Sequence, residues 1–490
     1  MDSNSKNNIK FAGEFRIDVA NIISYRSSDA DASKAFRYNI RPQLLSFSII
    51  EDLSLPSLTG ELYIADAQDI RTALPLTGME RLELKFYNPG TDLTISTTEE
   101  DGDPLYIYKI EKIRQSGGTG RQQVYKLFFT SREVYRNMTR RISRAFAGPI
   151  ENAVYQIVKD KKYLDSRKNL IIEETSTNAK YVIPNLRPLK AIDFLAASAV
   201  SKRYANAGYL FYETTQAYHF RSFESLLAIG GSTARTVKEK YDIQPAAVRE
   251  GGNKNIEKDL RTVESYSFED SVNMIEQLEN GLYANRLVTN DIYNKRIESF
   301  NFDYHDSFGD FFHTEHFDGE KAKAKYLWPD TMFDITEKRI SEHYDTKLLH
   351  YVQTAKTHND YEFVPCKNTV QKRLSQREQM ANFHLVMTVP GQVRLNAGDL
   401  ISFSLPKQAP IRSDEKMELN PYYSGRYLIL QLRHEFDVQN QKHMMTMRCV
   451  KDAAKTELPY EHENLITLRE KNKVLETTVQ DLDNSEIMGG

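Results

Sequence analysis

Between Phe11 and Arg132 apolar and polar side chains alternate in short runs, broken by turn residues such as Asn88-Pro89-Gly90 and Ser116-Gly117-Gly118-Thr119-Gly120. A period of two puts every second side chain on one face of a strand, so this stretch predicts an antiparallel sheet or small barrel. Leu82, Leu84 and Phe86 share one such face, and Tyr106, Tyr108 and Ile110 form a matching one. After Gly148-Pro149 the period lengthens: Ile150, Val154, Ile157 and Val158 fall on one side of a helix, with proline suited to the first turn. A second predicted helix follows Pro188 and carries Ile192, Leu195 and Ala199. Strand-like runs at Ile171 and over Tyr209–Phe223, the latter folding at Thr214-Thr215, complete a small α/β domain. Residues 229–258 are rich in glycine and charge and predict a surface connection. Alternation resumes near Val263, is interrupted, and ends at Val450; beyond Lys451 Asn464 is placed to cap a last helix bearing Leu465, Leu468, Leu475 and Leu482.

The β pattern occurs twice. SFSIIED from Ser46 is matched by SYSFED from Ser265, and ELYIADAQDI ending at Ile70 by LYANRLVTNDI ending at Ile292, with Gly60 and Gly281 in front. Farther on, the turn before RLELKF at Gly78 is matched by that before LISFSLP at Gly398, Tyr106 by Tyr427, and VYKLFFTS from Val124 by MMTMRCVK from Met444. Corresponding residues stand farther apart in this later group, which places an insertion inside the second copy. The predicted fold class is mainly β with α+β insertions: two homologous antiparallel β-barrel domains, an α/β domain between them and an insertion inside the second barrel. The expected divisions are 1–136 (first β-barrel), 137–228 (α/β domain), 229–262 (connector), 263–296 (second β-barrel, first part), 297–381 (insertion), 382–452 (second β-barrel, second part) and 453–490 (C-terminal helical extension). Gly78, Gly398, Tyr106 and Tyr427 are the structural positions of the repeat.

At 490 residues the chain exceeds one core, and its 65 basic residues are offset by 68 acidic ones, which argues against a general polyanion partner and against sequence-specific nucleic-acid contact. Two cysteines, Cys366 and Cys449, provide no disulfide scaffold and suggest synthesis in a reducing compartment. No apolar run reaches the roughly 20 residues of a membrane span, and the polar start MDSNSKNN lacks a signal-peptide core. His313 and His316, with Asp306, Asp310 and Glu315, form the one crowd of candidate metal ligands; a solvated or interfacial cluster is the preferred reading, because no further His or Cys completes zinc-like spacing. Ser116–Gly120 lacks the Lys-Ser/Thr of a phosphate cradle and reads as a hairpin loop. No nucleophile elbow is present and no carboxylate pair has the context glycan hydrolysis requires, so no catalytic residue, metal or cofactor is expected. The basic run Arg132–Arg144, interleaved with Tyr135, Met138 and Ile142, predicts a helix with one face on the core and a charged face in water or at a subunit contact. The Leu465, Leu468, Leu475 and Leu482 stripe is the candidate partner-binding element, on its own chain or a neighbour.

Three passages together resemble the central baseplate hub of T-even-type contractile-tailed phages: Phe128–Val158, Arg373–Pro406 and Tyr422–Ala453. They are similar to that family's passage from the first barrel into its α/β domain, its helix-to-barrel return and its closing hairpin. The resemblance spans most of Phe11–Ala453 and rests on the order of packing and turn motifs. What it implies is a structural virion protein, a homotrimer whose six barrels adapt a sixfold tail tube to a threefold puncturing spike and line the channel. The implied partners are the tail tube protein, the spike protein and baseplate wedge or other hub components, in the virion after synthesis in the host cytoplasm. The nearest variant is the hub of a phage-derived contractile injection or type VI-like secretion device. The competing class is a tail-associated glycan-binding or glycan-cleaving enzyme.

Overall fold

The structure, a computed structural model, describes residues 9–24, 36–70, 76–78, 80–91, 93–116, 122–228, 236–243, 256–269, 273–292, 294–315, 325–327, 339–352, 366, 369–381, 383–407 and 419–454. The leucine stripe after Asn464 and His316 lie outside these residues. Among the described residues no helix is long and apolar enough to cross a membrane.

The chain is mainly β. Its first part supplies β1 (Arg16–Ser24), β2 (Phe36–Asn39), β3 (Leu44–Asp52), β4 (Thr59–Asp66), β5 (Arg81–Tyr87), β6 (Thr94–Ser96), β7 (Leu105–Ser116) and β8 (Gln122–Ser131). There follow α1 (Arg132–Thr139), β9 (Ile142–Pro149), α2 (Ile150–Lys159), β10 (Asn169–Ile172), β11 (Asn178–Leu186), α3 (Pro188–Ala196) and the hairpin of β12 (Tyr209–Glu213) and β13 (Ala217–Ser222). The remainder contributes β14 (Glu239–Asp242), β15 (Ser265–Glu269), β16 (Ala284–Asp291), β17 (Arg296–Asp303), β18 (Lys325–Tyr326), β19 (Leu348–Val352), α4 (Val370–Met380), β20 (His384–Pro390), β21 (Leu400–Ser404), β22 (Gly425–Asp437), β23 (Lys442–Val450) and β24 (Ala453–Ala454).

Fourteen strands form one large, predominantly antiparallel sheet, within which the same pairing order is met twice. In the first part β3 pairs with β4, β4 with β8, β8 with β7 and β7 with β5. In the second part β15 pairs with β20, β20 with β23, β23 with β22 and β22 with β21. Alternation decides which residues turn inward: Leu82, Leu84, Phe86, Leu62, Leu127 and Phe129 meet in one core, and Ile401, Phe403, Leu385, Met387, Met447 and Cys449 in another. A third core lies in the α/β domain, where Val154, Ile157, Ile192 and Leu195 pack on Phe211 and Phe220. A small cluster of Leu53, Tyr212, Leu226, Ala397, Leu400 and Leu428 joins that domain to both sheet halves.

Three expectations change. The stretch 282–292, matched by its alternation to β4, is β16, which pairs with β17 and β19 in a separate three-stranded sheet. The place beside β15 is taken instead by β20, so the stretch 263–296 divides after β15 and the interruption begins before β16. Period-two alternation states that a strand has a buried face, not which strand lies next to it. The connector 229–262 contains β14, which pairs in parallel with β21 and buries Glu239 and Tyr241. Finally, α1 ends at Thr139, so Ile142 belongs to β9; the buried side chains of α1 are Glu133 and Asn137, while Met138 is exposed.

Candidate functional site: the seam between the sheet halves

The two halves are joined by strand pairing. β23 runs along one edge of β22, and the opposite edge serves twice: its start, Gly425–Leu428, pairs with β21, and Gln431–Asp437 pairs with Asp52–Ser46 of β3. Phe436 lies opposite Phe47, and their rings stack at 4.4 Å. Phe15 and Phe86 close on the same pair, with Phe15 at 5.0 Å and Phe86 at 4.7 Å from Phe436. A groove of about 500 Å³ runs over the seam, bordered by Ser46, Ser48, Glu61, Arg433 and Glu435. Arg433 reaches Glu61 at 3.2 Å, tying β22 to β4 across β3.

Behind the aromatic rings lies a buried polar chain. Asn88 donates to the Glu14 carbonyl at 2.7 Å and accepts from the Val393 amide at 2.8 Å. That orientation points its NH₂ group at His443 Nδ1, 3.3 Å away, so His443 carries its proton on Nε2 and donates it to His434 Nδ1 at 3.0 Å. Both imidazoles are buried, and burial pushes the His434 pKa down to about 4 and that of His443 well down, the neighbouring ring adding to the latter. A depressed folded-state pKa means the stabilising neutral pair is fully present above about 6.5 and is lost as the pH falls through that value toward 4.

Glu51 acts in the opposite sense. It is fully buried on β3 and accepts from the Thr215 amide at the tip of the β12–β13 hairpin and from the Ala397 amide before β21, both at 2.7 Å. One carboxyl thus fastens first half, α/β domain and second half. Burial raises its pKa to about 7, so its contribution is full below about 4.5 and fades as the pH rises through 7. His434→Gln, which keeps an acceptor for His443, is expected to reduce the stability lost between pH 7 and pH 4 by about 3 kcal/mol. Urea unfolding at the two pH values checks this; a loss equal to that of the parent protein would show that His434 does not govern the acid response.

The α/β domain is held by buried charge. Lys168 reaches Glu133 of α1 at 3.1 Å and also Glu213 of β12, whose other oxygen accepts from Ser131 Oγ at 2.7 Å and the Leu58 amide at 2.9 Å. Arg132 forks to Asp103 at 2.9 Å and Asp165 at 2.8 Å, and Arg136 donates to the Tyr163 carbonyl at 3.1 Å. These two arginines of the basic run are therefore internal struts, whereas Arg140, Arg141 and Arg144 are exposed.

The loop carrying His313 is docked on the second half. Its Nδ1 lies 2.8 Å from Asp452 and its Nε2 donates to the Phe308 carbonyl at 2.9 Å. Burial, the largest single influence, would lower the His313 pKa, but the Asp452 charge together with the hydrogen bonds to Asp452 and the Phe308 carbonyl raises it on balance. Thr314 donates its amide to Asp452 at 2.8 Å, and Glu315 accepts from the Arg426 amide at 2.6 Å. Asp306 is not brought to His313; it borders a separate polar groove with Asp303, His305 and Arg339. Among the described residues no group of three or more His, Cys, Asp or Glu side chains is arranged to hold a metal ion.

Gly78 and Gly398 have φ of +83° and +86° just before β5 and β21. Tyr106 pairs with Arg81 and Tyr427 with Ile401. Glu51, His434, His443 and Lys168 were not visible as site residues in the sequence: each occupies an ordinary polar or alternating position, and only long-range pairing makes it a joint.

No known protein-family profile matches the chain, and no curated protein sequence matches it. Solved structures similar to it include a tail protein from Neisseria meningitidis MC58, at 9% identity over 90% of this chain and 97% of that one, with a TM-score of 0.48. A 43 kDa tail protein of prophage MuSo2 from Shewanella oneidensis is 10% identical over 88% of this chain and 98% of that one, with a TM-score of 0.46. An Escherichia coli component of the type VI secretion system, described as structurally similar to the T4 bacteriophage tail proteins gp27 and gp5, is 9% identical over 91% of this chain and 78% of that one, with a TM-score of 0.41.

Proposed function

We propose that the chain is a non-catalytic, ring-forming hub of a contractile tail baseplate, three copies of which contribute six similar β modules. The observation that carries this reading is the doubled pairing order, β3-β4-β8-β7-β5 and β15-β20-β23-β22-β21, with the halves joined by β22 and β3. A chain containing two copies of one module is suited to meet a sixfold tube on one side and a threefold spike on the other.

The correspondence that best unites the two modules extends to single hydrogen bonds. Ile107 donates to the Glu80 carbonyl at 2.9 Å, and Ile429 to the Asp399 carbonyl at 3.0 Å. Glu80 accepts from the Thr77 amide at 2.8 Å, and Asp399 from the Asn396 amide at 2.9 Å. A β-bulge follows Ile107 in β7 and Ile429 in β22. Leu82 and Leu84 then answer to the inward Ile401 and Phe403, and Phe47 and Ile49 to Tyr266 and Phe268. This places Glu80 on Asp399 and Leu105 on Tyr427, one residue from the alignment of Gly78 with Gly398 and of Tyr106 with Tyr427.

In this reading the tail tube protein, the spike protein and wedge or other hub components are the partners, and the virion tail is the location. A hub of a contractile injection or type VI-like device uses the same geometry. The histidine cluster lends no support to a glycan-binding or glycan-cleaving enzyme, since His313 spends both ring nitrogens on structural contacts. Native mass spectrometry of the purified full chain is expected to give three copies; a monomer or dimer at micromolar concentration would refute the hub.

A further inference from the structure

We infer that β15 of one chain adds in antiparallel register to the outer edge of β7 in a second copy of this chain. The inference rests on the hub reading and names the surface through which its copies join.

Each assembly has one β3-type strand and one β7-type strand. Inside the chain the β3–β22 junction couples the first assembly's β3 to the second assembly's β22, the counterpart of β7. The other two members of that set are left over. β15 pairs with β20 on one edge, and no described strand lies on its other edge. β7 pairs with β8 along its length, but with β5 only at Leu105 and Tyr106, so on that side Lys109–Ser116 has no partner among the described strands. The segment matches in position and length the part of β22 that receives β3.

Unpaired strand edges of this kind are templates for a further strand, and proteins normally blunt or cover them. β15 is presented ready for use. Tyr266 packs on Phe403 at 5.7 Å and Phe268 on Tyr423 at 4.6 Å, so its side chains are anchored inward while its outer backbone edge is offered. Because the two edges belong to different modules, the contact is head-to-tail, the kind that three copies of a hub repeat to form a ring.

The internal junction also gives the register. There Arg433 faces Ile50; transferred through the module correspondence, Glu111 faces Glu269. Each already has its own cation, Lys109 beside Glu111 and Arg448 3.9 Å from Glu269, so the like charges are compensated across the new pair. The transferred register sets Glu269 antiparallel to residue 111; past it β7 has a second bulge, between Lys112 and Arg114, that β22 lacks.

The test uses the full chain with Cys366→Ser and two differently tagged versions, one carrying Glu111→Cys and the other Glu269→Cys, co-expressed and oxidised. Directly opposed antiparallel residues bring their Cβ atoms to roughly 4.5–5.5 Å, within the backbone accommodation of a disulfide. The expected result is a reducible dimer containing both tags, absent when either version is expressed alone, within a particle of unchanged trimeric mass. A trimeric particle without the mixed-tag disulfide would overturn the strand-addition interface while leaving the hub standing. A monomeric mass for the parent chain would remove the hub itself.

Discussion

Replacing Lys168 with methionine is expected to destabilise the protein by about 3–5 kcal/mol, the usual cost of removing one partner from a buried ion pair. Lys168 sits between two fully buried carboxylates, Glu133 and Glu213. Burial by itself would pull the ammonium pKa down, but the two carboxylates push it up on balance. Burial pushes both carboxyls upward too; for Glu133 the Lys168 charge and the hydrogen bonds to the carboxylate together hold it low, whereas Glu213 remains raised. Methionine fills the space of the stem and leaves two acids with no cation. The loss should appear in urea unfolding as a large fall in midpoint and be partly recovered when Glu133→Gln is added. A Lys168→Met protein within about 1 kcal/mol of the parent would show that the network is solvated and does not hold the α/β domain to the first module.

Gly391→Ala is expected to cost roughly 3 kcal/mol, through overpacking against a ring that cannot retreat. A Cβ at this position would lie 2.1 Å from His443 Cγ and 2.3 Å from its Cδ2 and Nδ1. His443 is stacked 4.1 Å from Phe436 on one side and held in plane by Asn88 and His434, and the Gly391 amide donates to the His443 carbonyl at 2.8 Å. Any shift therefore breaks the polar chain or the aromatic stack of the seam. Gly309→Ala, where a Cβ meets nothing within 4 Å, is the matched control and should be near neutral. Equal thermal stability of the two variants would contradict the description of the seam as a tightly packed joint.

The parts of this architecture legible in the sequence were those with local causes. Alternation exposed the strands around Phe47, Leu82 and Ile401; Pro188 and the Ile150–Val158 stripe marked helices; Thr214-Thr215 marked a hairpin. The similarity of SFSIIED and SYSFED also led to β3 and β15, strands with the same place in the two pairing orders. The next match failed because β16 and β4 are both half-buried strands, and choosing between β16 and β20 depends on contacts separated by more than a hundred positions in the chain. The face of α1 was misassigned for a related reason. Glu133 and Asn137 look like solvent residues until Lys168 and the Leu189 amide, distant in sequence, arrive as their partners. The seam was invisible because nothing in the spacing of Glu51, His434 and His443 differs from ordinary strand alternation.

The most direct measurement of the central claim is a set of electron-microscopy projections of the purified particle viewed down its axis, averaged without imposed symmetry. Three chains with two like modules each predict a closed ring of six similar lobes, three of them carrying an additional domain. A ring of three lobes, an open chain, or an isolated bilobed particle would contradict the account.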